Sequence, residues 1–244
     1  MAFSVFYLIS VFALSTLIIP RFFHNPSLQG VLVQNMFRSN YTLFGLALAE
    51  ALYPQGDGGA AAALVAITVI LFNVLAVLTF ELTGKGKWQM TSVVKKTSRN
   101  PLIWACAIGM FLKFLPFDLP EVIVFGCSKL GGIAVPFALF MIGASINIKH
   151  ASTNMNAFMA GIFGRLVIVP VIYLTLACML GFRGPMLAAL ICAIASPTAV
   201  SSYPMAAEMG GDKSLAAQLV AFSAIFSAVT IFIIVYLSKH LGFL

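Results

Sequence analysis

Apolar runs of roughly twenty residues, the length that carries a helix across the hydrocarbon layer of a bilayer, recur along the whole of this chain. We count eight and denote them A (3–20), B (28–53), C (59–82), D (101–115), E (120–147), F (155–180), G (184–208) and H (213–240). Lipid offers the backbone no hydrogen-bond partner, so all eight are expected to be helical. Of 244 residues, 61% are hydrophobic and 9% charged, against about 25% charged in an ordinary soluble domain. Soluble globular, disulfide-scaffold and disordered classes are excluded. The expected fold class is an all-α polytopic membrane protein.

The formal net charge is +7, but the basic residues sit mostly in short connections and form no broad face. That distribution fits orientation in a membrane, with the lipid bilayer as partner, and not a nucleic-acid partner. Cys106, Cys127, Cys178 and Cys192 lie inside apolar segments with neither zinc nor C-x-x-C spacing, so they read as small core residues. The first run begins at Met-Ala-Phe-Ser without a basic n-region, and a cleaved signal peptide is not expected.

The stretch from Thr83 to Asn100 carries Lys85, Lys87, Lys95, Lys96 and Arg99 with no acidic residue, which marks it as a cytoplasmic linker. It divides the chain into residues 1–83, the linker 84–100, and residues 101–244. Alternation from this loop places the connections after A, E and G inside, the connection after D outside, and both termini outside. A bacterial inner (plasma) membrane is the expected location.

The two halves resemble each other. Asp57-Gly-Gly-Ala-Ala-Ala-Ala-Leu-Val-Ala-Ile-Thr matches Asp212-Lys-Ser-Leu-Ala-Ala-Gln-Leu-Val-Ala-Phe-Ser at an offset of 155 positions, 212 minus 57. This pairs Leu64 with Leu219, Val65 with Val220 and Thr68 with Ser223. A three-residue gap upstream pairs Asn40 with Thr198 and Ser39 with Pro197. C then corresponds to H, B to G and A to F. Because C and H run in opposite directions through the membrane, the repeats are inverted, as in secondary transporters that alternate access around a midplane site. The second copy has five helices and the first has three, so two helices are expected to be missing before Met1, by N-terminal truncation or as a reduced natural form; chance similarity of Ala- and Leu-rich helices is the alternative to the repeat itself.

Segments B and G carry the polar chemistry. In G, Ala195-Ser196-Pro197-Thr198-Ala199-Val200-Ser201-Ser202-Tyr203-Pro204 places two prolines and four Ser/Thr hydroxyls in mid-span. Pro197 lacks an N–H and clashes with the preceding turn, and Ser196, preceding proline, is pushed out of helical geometry. A break is therefore expected near 196–198, leaving free carbonyls on one side and free N–H groups on the other, the latter suited to an anion. A plain proline kink is the alternative. In B, Gln34-Asn35-Met36-Phe37-Arg38-Ser39-Asn40-Tyr41-Thr42 interrupts an apolar span without proline; its break relies on Ser39 and Asn40 competing for backbone bonds. Arg38 is expected to snorkel to the cytoplasmic headgroups.

Lys129 in E and Arg165 in F lie about ten residues into their spans. Ionised groups at such depth cost about 2.5–3.5 kcal/mol on insertion scales and usually face the bundle interior. Lys129 either faces the substrate or snorkels outward, and Arg165 can reach the cytoplasmic interface. Glu50, Glu81 and Glu208 fall near helix ends, where solvation accounts for them. Pro136 and Gly143 in E suggest a kink and close helix contact. His24, His150 and His240 are dispersed, and no H-E-x-x-H pair or phosphate loop occurs, so neither an enzyme nor an ATP-driven machine is expected, and no cofactor.

Several motifs extend this reading. Asn100-Pro101-Leu102-Ile103, and Gly131-Gly132-Ile133-Ala134-Val135-Pro136-Phe137-Ala138-Leu139-Phe140-Met141-Ile142-Gly143-Ala144-Ser145, resemble the auxin efflux carrier family, which includes prokaryotic transporters of malonate and similar organic acids. Ala195-Ser196-Pro197-Thr198-Ala199 and Gly210-Gly211-Asp212 are similar to its penultimate helix and following turn, and Ser39-Asn40-Tyr41-Thr42-Leu43-Phe44-Gly45 to its fourth helix. Leu46 stands where the family often has proline. The resemblance implies ten helices in two inverted five-helix repeats, of which eight are seen here, with two broken helices crossing at the substrate site. It implies a secondary carrier of a small organic anion, such as a dicarboxylate or an auxin-like weak acid, and leaves room for a homodimer. Carried over, the site comprises Ser39 and Asn40 with Ser196, Pro197 and Thr198; Ser201 and Lys129 join it as neighbouring polar candidates. The alternatives are a sodium-coupled symporter of the bile-acid type, or a truncated membrane subunit that does not transport.

Overall fold

The computed structural model describes residues 2–42, 59–84, 120–145 and 154–244, with single positions at 48, 52, 104, 108, 111 and 112. Apart from those single positions, segment D and the second half of B, with Glu50, lie outside the described residues, as does most of the basic linker. The described residues are mostly helical. In order come α1 (Ala2–Phe22), α2 (Pro26–Phe37), α3 (Gly59–Thr83) and α4 (Glu121–Ser145). Then follow α5 (Met155–Phe163), a π-helical turn (Gly164–Ile168), α6 (Val169–Met179), α7 (Gly184–Ala195), α8 (Ser202–Glu208) and α9 (Lys213–His240). Segments A, C, E, F and H match α1, α3, α4, the α5–π–α6 unit and α9 closely.

Three described helices, Ala2–Phe22, Met155–Met179 and Lys213–His240, are each long and apolar enough to cross a membrane. B and G do not form single rods. In B, α2 ends at Phe37 and the chain leaves helical geometry at 38–40, and G is divided into α7 and α8. Both breaks fall at the polar interruptions.

The helix starts follow their local chemistry. Asn25 caps α2, its Oδ1 accepting from the Ser27 N–H at 3.1 Å, with Pro26 in the first turn. Asp212 caps α9, accepting from the Leu215 N–H at 2.9 Å, after Gly210 turns the chain at φ +80°. Hydroxyls inside spans bond back to the preceding turn: Thr79 donates to Leu75 O at 2.8 Å and Thr83 to Thr79 O at 2.9 Å. These two threonines therefore add no unsatisfied hydroxyl to the interior.

α2 is central. It packs against α1, α3, α5, the π turn, α8 and α9. Small residues permit the close approaches, as expected where lipid supplies no hydrophobic drive between helices. A Cβ on Gly30 would stand 2.7 Å from the Phe80 ring, and one on Gly211 would stand 2.8 Å from the same ring. A Cβ on Gly161 would meet the Leu219 side chain. The Cε1 edge of Phe80 thus packs against glycines from both halves of the chain.

α4 is different. It packs on α8 and α9, yet its described side chains are almost all exposed, among them Val122, Phe125, Leu130 and Phe140. Cys127 lies exposed on this helix and Cys178 is half-buried, so of the described cysteines only Cys192 is the core residue expected of all four.

Candidate functional site

The two breaks meet. Ser39 and Thr198 form an antiparallel bridge, in which the Asn40 N–H donates to Pro197 O at 2.7 Å and the Ala199 N–H donates to Arg38 O at 3.1 Å. These reciprocal bonds flank Ser39 and Thr198 and leave them directly opposite as a non-hydrogen-bonded pair. The repeat alignment set Asn40 against Thr198; the bridge instead sets Ser39 there, one position away.

Each break has a physical cause. In G, α7 ends at Ala195, and Ser196 adopts φ −59°, ψ 148° ahead of Pro197, the extended geometry proline imposes on its predecessor. The Ser196 hydroxyl donates to Cys192 O. The Thr198 N–H, freed from helical bonding, donates to Ser223 Oγ on α9 at 3.1 Å. In B, Arg38 leaves helical geometry at φ −83°, ψ 96°, and the exchange of backbone bonds with G supplies the partners its own helix no longer provides. The proline half imposes extended geometry, and the half without proline is held open by pairing with it.

Side chains knit the crossing. Thr198 Oγ1 donates to Asn35 Oδ1 at 2.6 Å, and Asn35 Nδ2 donates to Gly161 O on α5 at 2.8 Å. Arg38 is not at a headgroup interface: it is 3% exposed. Its guanidinium donates to Asn73 Oδ1 at 2.9 Å, Ser201 Oγ at 3.1 Å and Met205 Sδ at 2.6 Å. Arg165 is likewise no interfacial residue. It is fully buried and donates to Ser196 O at 2.6 Å, Met36 O at 3.0 Å and the Tyr7 hydroxyl at 3.3 Å.

Beside the crossing lies a cavity of about 220 Å³, bordered by Arg38, Ser39, Asn40, Asn73, Phe72 and Ser201 among others. The Ser39 hydroxyl is buried and has no hydrogen-bond partner among the described residues. Arg38 brings a fixed positive charge to this wall. α8 has only seven residues, so the positive charge beside the cavity comes from the guanidinium more than from a helix dipole.

Of the residues expected from sequence, Ser39, Asn40 and Ser201 border the cavity. Ser196, Pro197 and Thr198 build the crossing itself, but the hydroxyls of Ser196 and Thr198 are engaged within the protein. Lys129 is not brought there: it is exposed on α4, its ammonium 5.2 Å from the centre of the Phe125 ring. An exposed lysine on an outer helix escapes burial, and its own helix supplies an aromatic face for the charge. Glu208 is exposed at the end of α8, as a solvated helix-end carboxylate should be. Arg38, Asn73 and Arg165 are the polar residues that sequence reasoning did not assign to the site. The signal available for Arg38 was its adjacency to Ser39 and Asn40; for Arg165 it was depth within its span. Among the described residues, no cluster of His, Cys, Asp and Glu is arranged to hold a metal ion.

No curated protein and no solved structure matches this chain. Residues 1–235 do match the model of a family described as membrane transport protein. Helices fit to span a bilayer, two of the spans broken and paired at mid-length, and this match over nearly the whole chain place it plainly: it is an integral membrane protein belonging to the membrane transport protein, or auxin efflux carrier, family.

Proposed function

We propose that the protein is a secondary carrier of a small organic anion, working by alternating access around the crossing of B and G. The observation that carries this reading is the cavity of about 220 Å³ with the buried Arg38 guanidinium and the unpartnered Ser39 hydroxyl on its wall. A buried hydroxyl without a partner loses free energy until something supplies one, and a carboxylate supplies acceptor oxygens for it and for a guanidinium together. The cavity volume suits an anion of a few carbon atoms. Non-helical backbone at membrane depth is tolerated where it is buried in protein or lines such a cavity. The reciprocal backbone bonds around Ser39 and Thr198 favour two inverted repeats meeting at their breaks, divided at residues 84–100 with that loop cytoplasmic and both termini outside. Lys129, exposed on α4, has no part in this site.

The test is uptake of labelled malonate, succinate and indole-3-acetate by reconstituted vesicles. Wild-type protein takes up at least one of them. Arg38→Gln lowers that uptake at least tenfold, Arg38→Lys less so, and Asn40→Ala or the double change of Pro197 and Thr198 to alanine abolishes it while insertion persists. Uptake indifferent to Arg38 and Asn40 would reject the site.

A further inference from the structure

Arg165 takes no part in the cavity, yet it is the largest fully buried side chain in the described protein. Its position is set by the helix that carries it. The α5–α6 span widens into a π turn at Gly164–Ile168, and such turns re-aim side chains, frequently at functional positions. From there the guanidinium reaches the ends of two different helices. Met36 O belongs to the last turn of α2, and Ser196 O to the C-cap of α7. Both are carbonyls that a terminated helix leaves without an intrahelical donor, and both stand at the negative end of a helix dipole. The described residues bring no carboxylate into ion-pair contact with Arg165, and its third hydrogen bond goes to the Tyr7 hydroxyl. The two terminal nitrogens therefore face the carbonyl ends of the two broken helices, while Nε is buried without a hydrogen-bond partner among the described residues.

Carbonyls at half-helix C-termini are also what coordinates sodium in carriers with broken helices. We propose that Arg165 is a resident cation of the crossing: its guanidinium takes the place between α2 and α7 that a dissociable cation would fill, so the two breaks are held together without sodium. The forked donors suit this role. One nitrogen serves each helix end, a geometry that the single ammonium of lysine cannot reproduce. Arg165 acts here as a positioning residue. It fixes the backbone on which the cavity is built and does not touch the solute. The consequence for coupling rests on the carrier reading above; the structural claim does not.

Two measurements separate these. The first is thermal unfolding of purified protein in detergent, which needs no substrate. Arg165→Ala should lower the midpoint by roughly 5–10 °C, the scale expected when several charged hydrogen bonds are lost in a chain of this size. Millimolar methylguanidinium should restore at least half of that loss, whereas choline at equal ionic strength should not. Arg165→Lys, which keeps the charge, should still unfold several degrees below wild type. An unchanged midpoint in either variant, or a loss in Arg165→Ala that methylguanidinium leaves untouched, overturns the proposal. If Arg165→Ala does not insert, the lysine variant alone decides it. The second measurement is malonate uptake by wild-type vesicles with sodium replaced by choline. Rates within twofold are expected, and a strict sodium requirement overturns the resident-cation role. Vesicles that transport none of the anions would count against the carrier reading and leave the thermal result standing.

Discussion

Ser39 and Thr198 stand directly opposite each other at the crossing of two broken helices, flanked by one backbone bond in each direction. Their hydroxyls have unlike fates. Thr198 Oγ1 donates to Asn35, whereas Ser39 Oγ is buried without a hydrogen-bond partner among the described residues. That contrast separates the residue that holds the crossing from the one that faces the cavity, and it gives opposite expectations for their removal.

Thr198→Val keeps the side-chain shape but strips the donor from Asn35 Oδ1, which is 2.6 Å away and buried. Leaving that acceptor unsatisfied costs about 1–3 kcal/mol. At about 2–4 °C per kcal/mol for a chain of this size, the thermal midpoint should fall by roughly 3–8 °C. Thr198→Ser, which keeps the hydroxyl, should recover most of it. A valine variant as stable as wild type would show that the hydroxyl is not structural.

Ser39→Ala should do the reverse. No protein hydrogen bond is lost, so the midpoint should stay level or rise slightly. On the carrier reading, one solute hydrogen bond disappears, worth about 1 kcal/mol or a roughly fivefold rise in KM for uptake. Ser202→Ala is the control: its hydroxyl is also buried and unpartnered, but the residue does not border the cavity, so neither stability nor uptake should change. Equal effects of the two variants on uptake would remove Ser39 from the site.

The sequence made one break readable and left much of the site hidden, for reasons of distance along the chain. Pro197 dictates its own break by local sterics, and the extended Ser196 follows from it. The break in B has no such local cause. Ser39 and Asn40 hint at it, but its backbone partners, Pro197 and Ala199, come from the other half of the chain. The two arginines were misplaced for the same reason. A lone arginine in an apolar span is cheapest at the interface unless acceptors await it inside, and those acceptors are Ser201, Met205 and Ser196 O, none of them near in sequence. Lys129 failed in the other direction: depth in a span says nothing of which side of the helix is lined by protein.

Ser223 and Ser227 provide a matched pair one turn apart on α9, both buried. Ser223 Oγ accepts the Thr198 N–H that Pro197 has displaced from helical bonding. Ser227 only bonds back to Ala224 O at 2.8 Å. Ser223→Ala orphans a buried backbone N–H, at about 1–3 kcal/mol, while Ser227→Ala removes donor and need together and should cost well under 1 kcal/mol. Denaturation of both variants in the same detergent measures the difference. Equal losses would mean that the freed amide finds another acceptor.

The last expectation concerns the glycines that let these helices close. Gly30→Ala places a methyl within 2.7 Å of the Phe80 ring and 2.8 Å of Thr83 Oγ1. The ring cannot shift freely, because the same Cε1 edge also packs against Gly211, where a Cβ would lie 2.8 Å away. Overpacking at such a site costs about 1–3 kcal/mol. Gly164→Ala also collides, but with the thioether end of Met36, which borders an open apolar groove of about 450 Å³ lined by α1 and the α5–α6 span. A flexible methionine can swing into that groove, and alanine regains up to about 1 kcal/mol of helical propensity over glycine. Gly164→Ala should therefore match wild-type stability while Gly30→Ala unfolds several degrees lower. If the two behave alike, the Phe80 contact between α2, α3 and the start of α9 does not limit their approach.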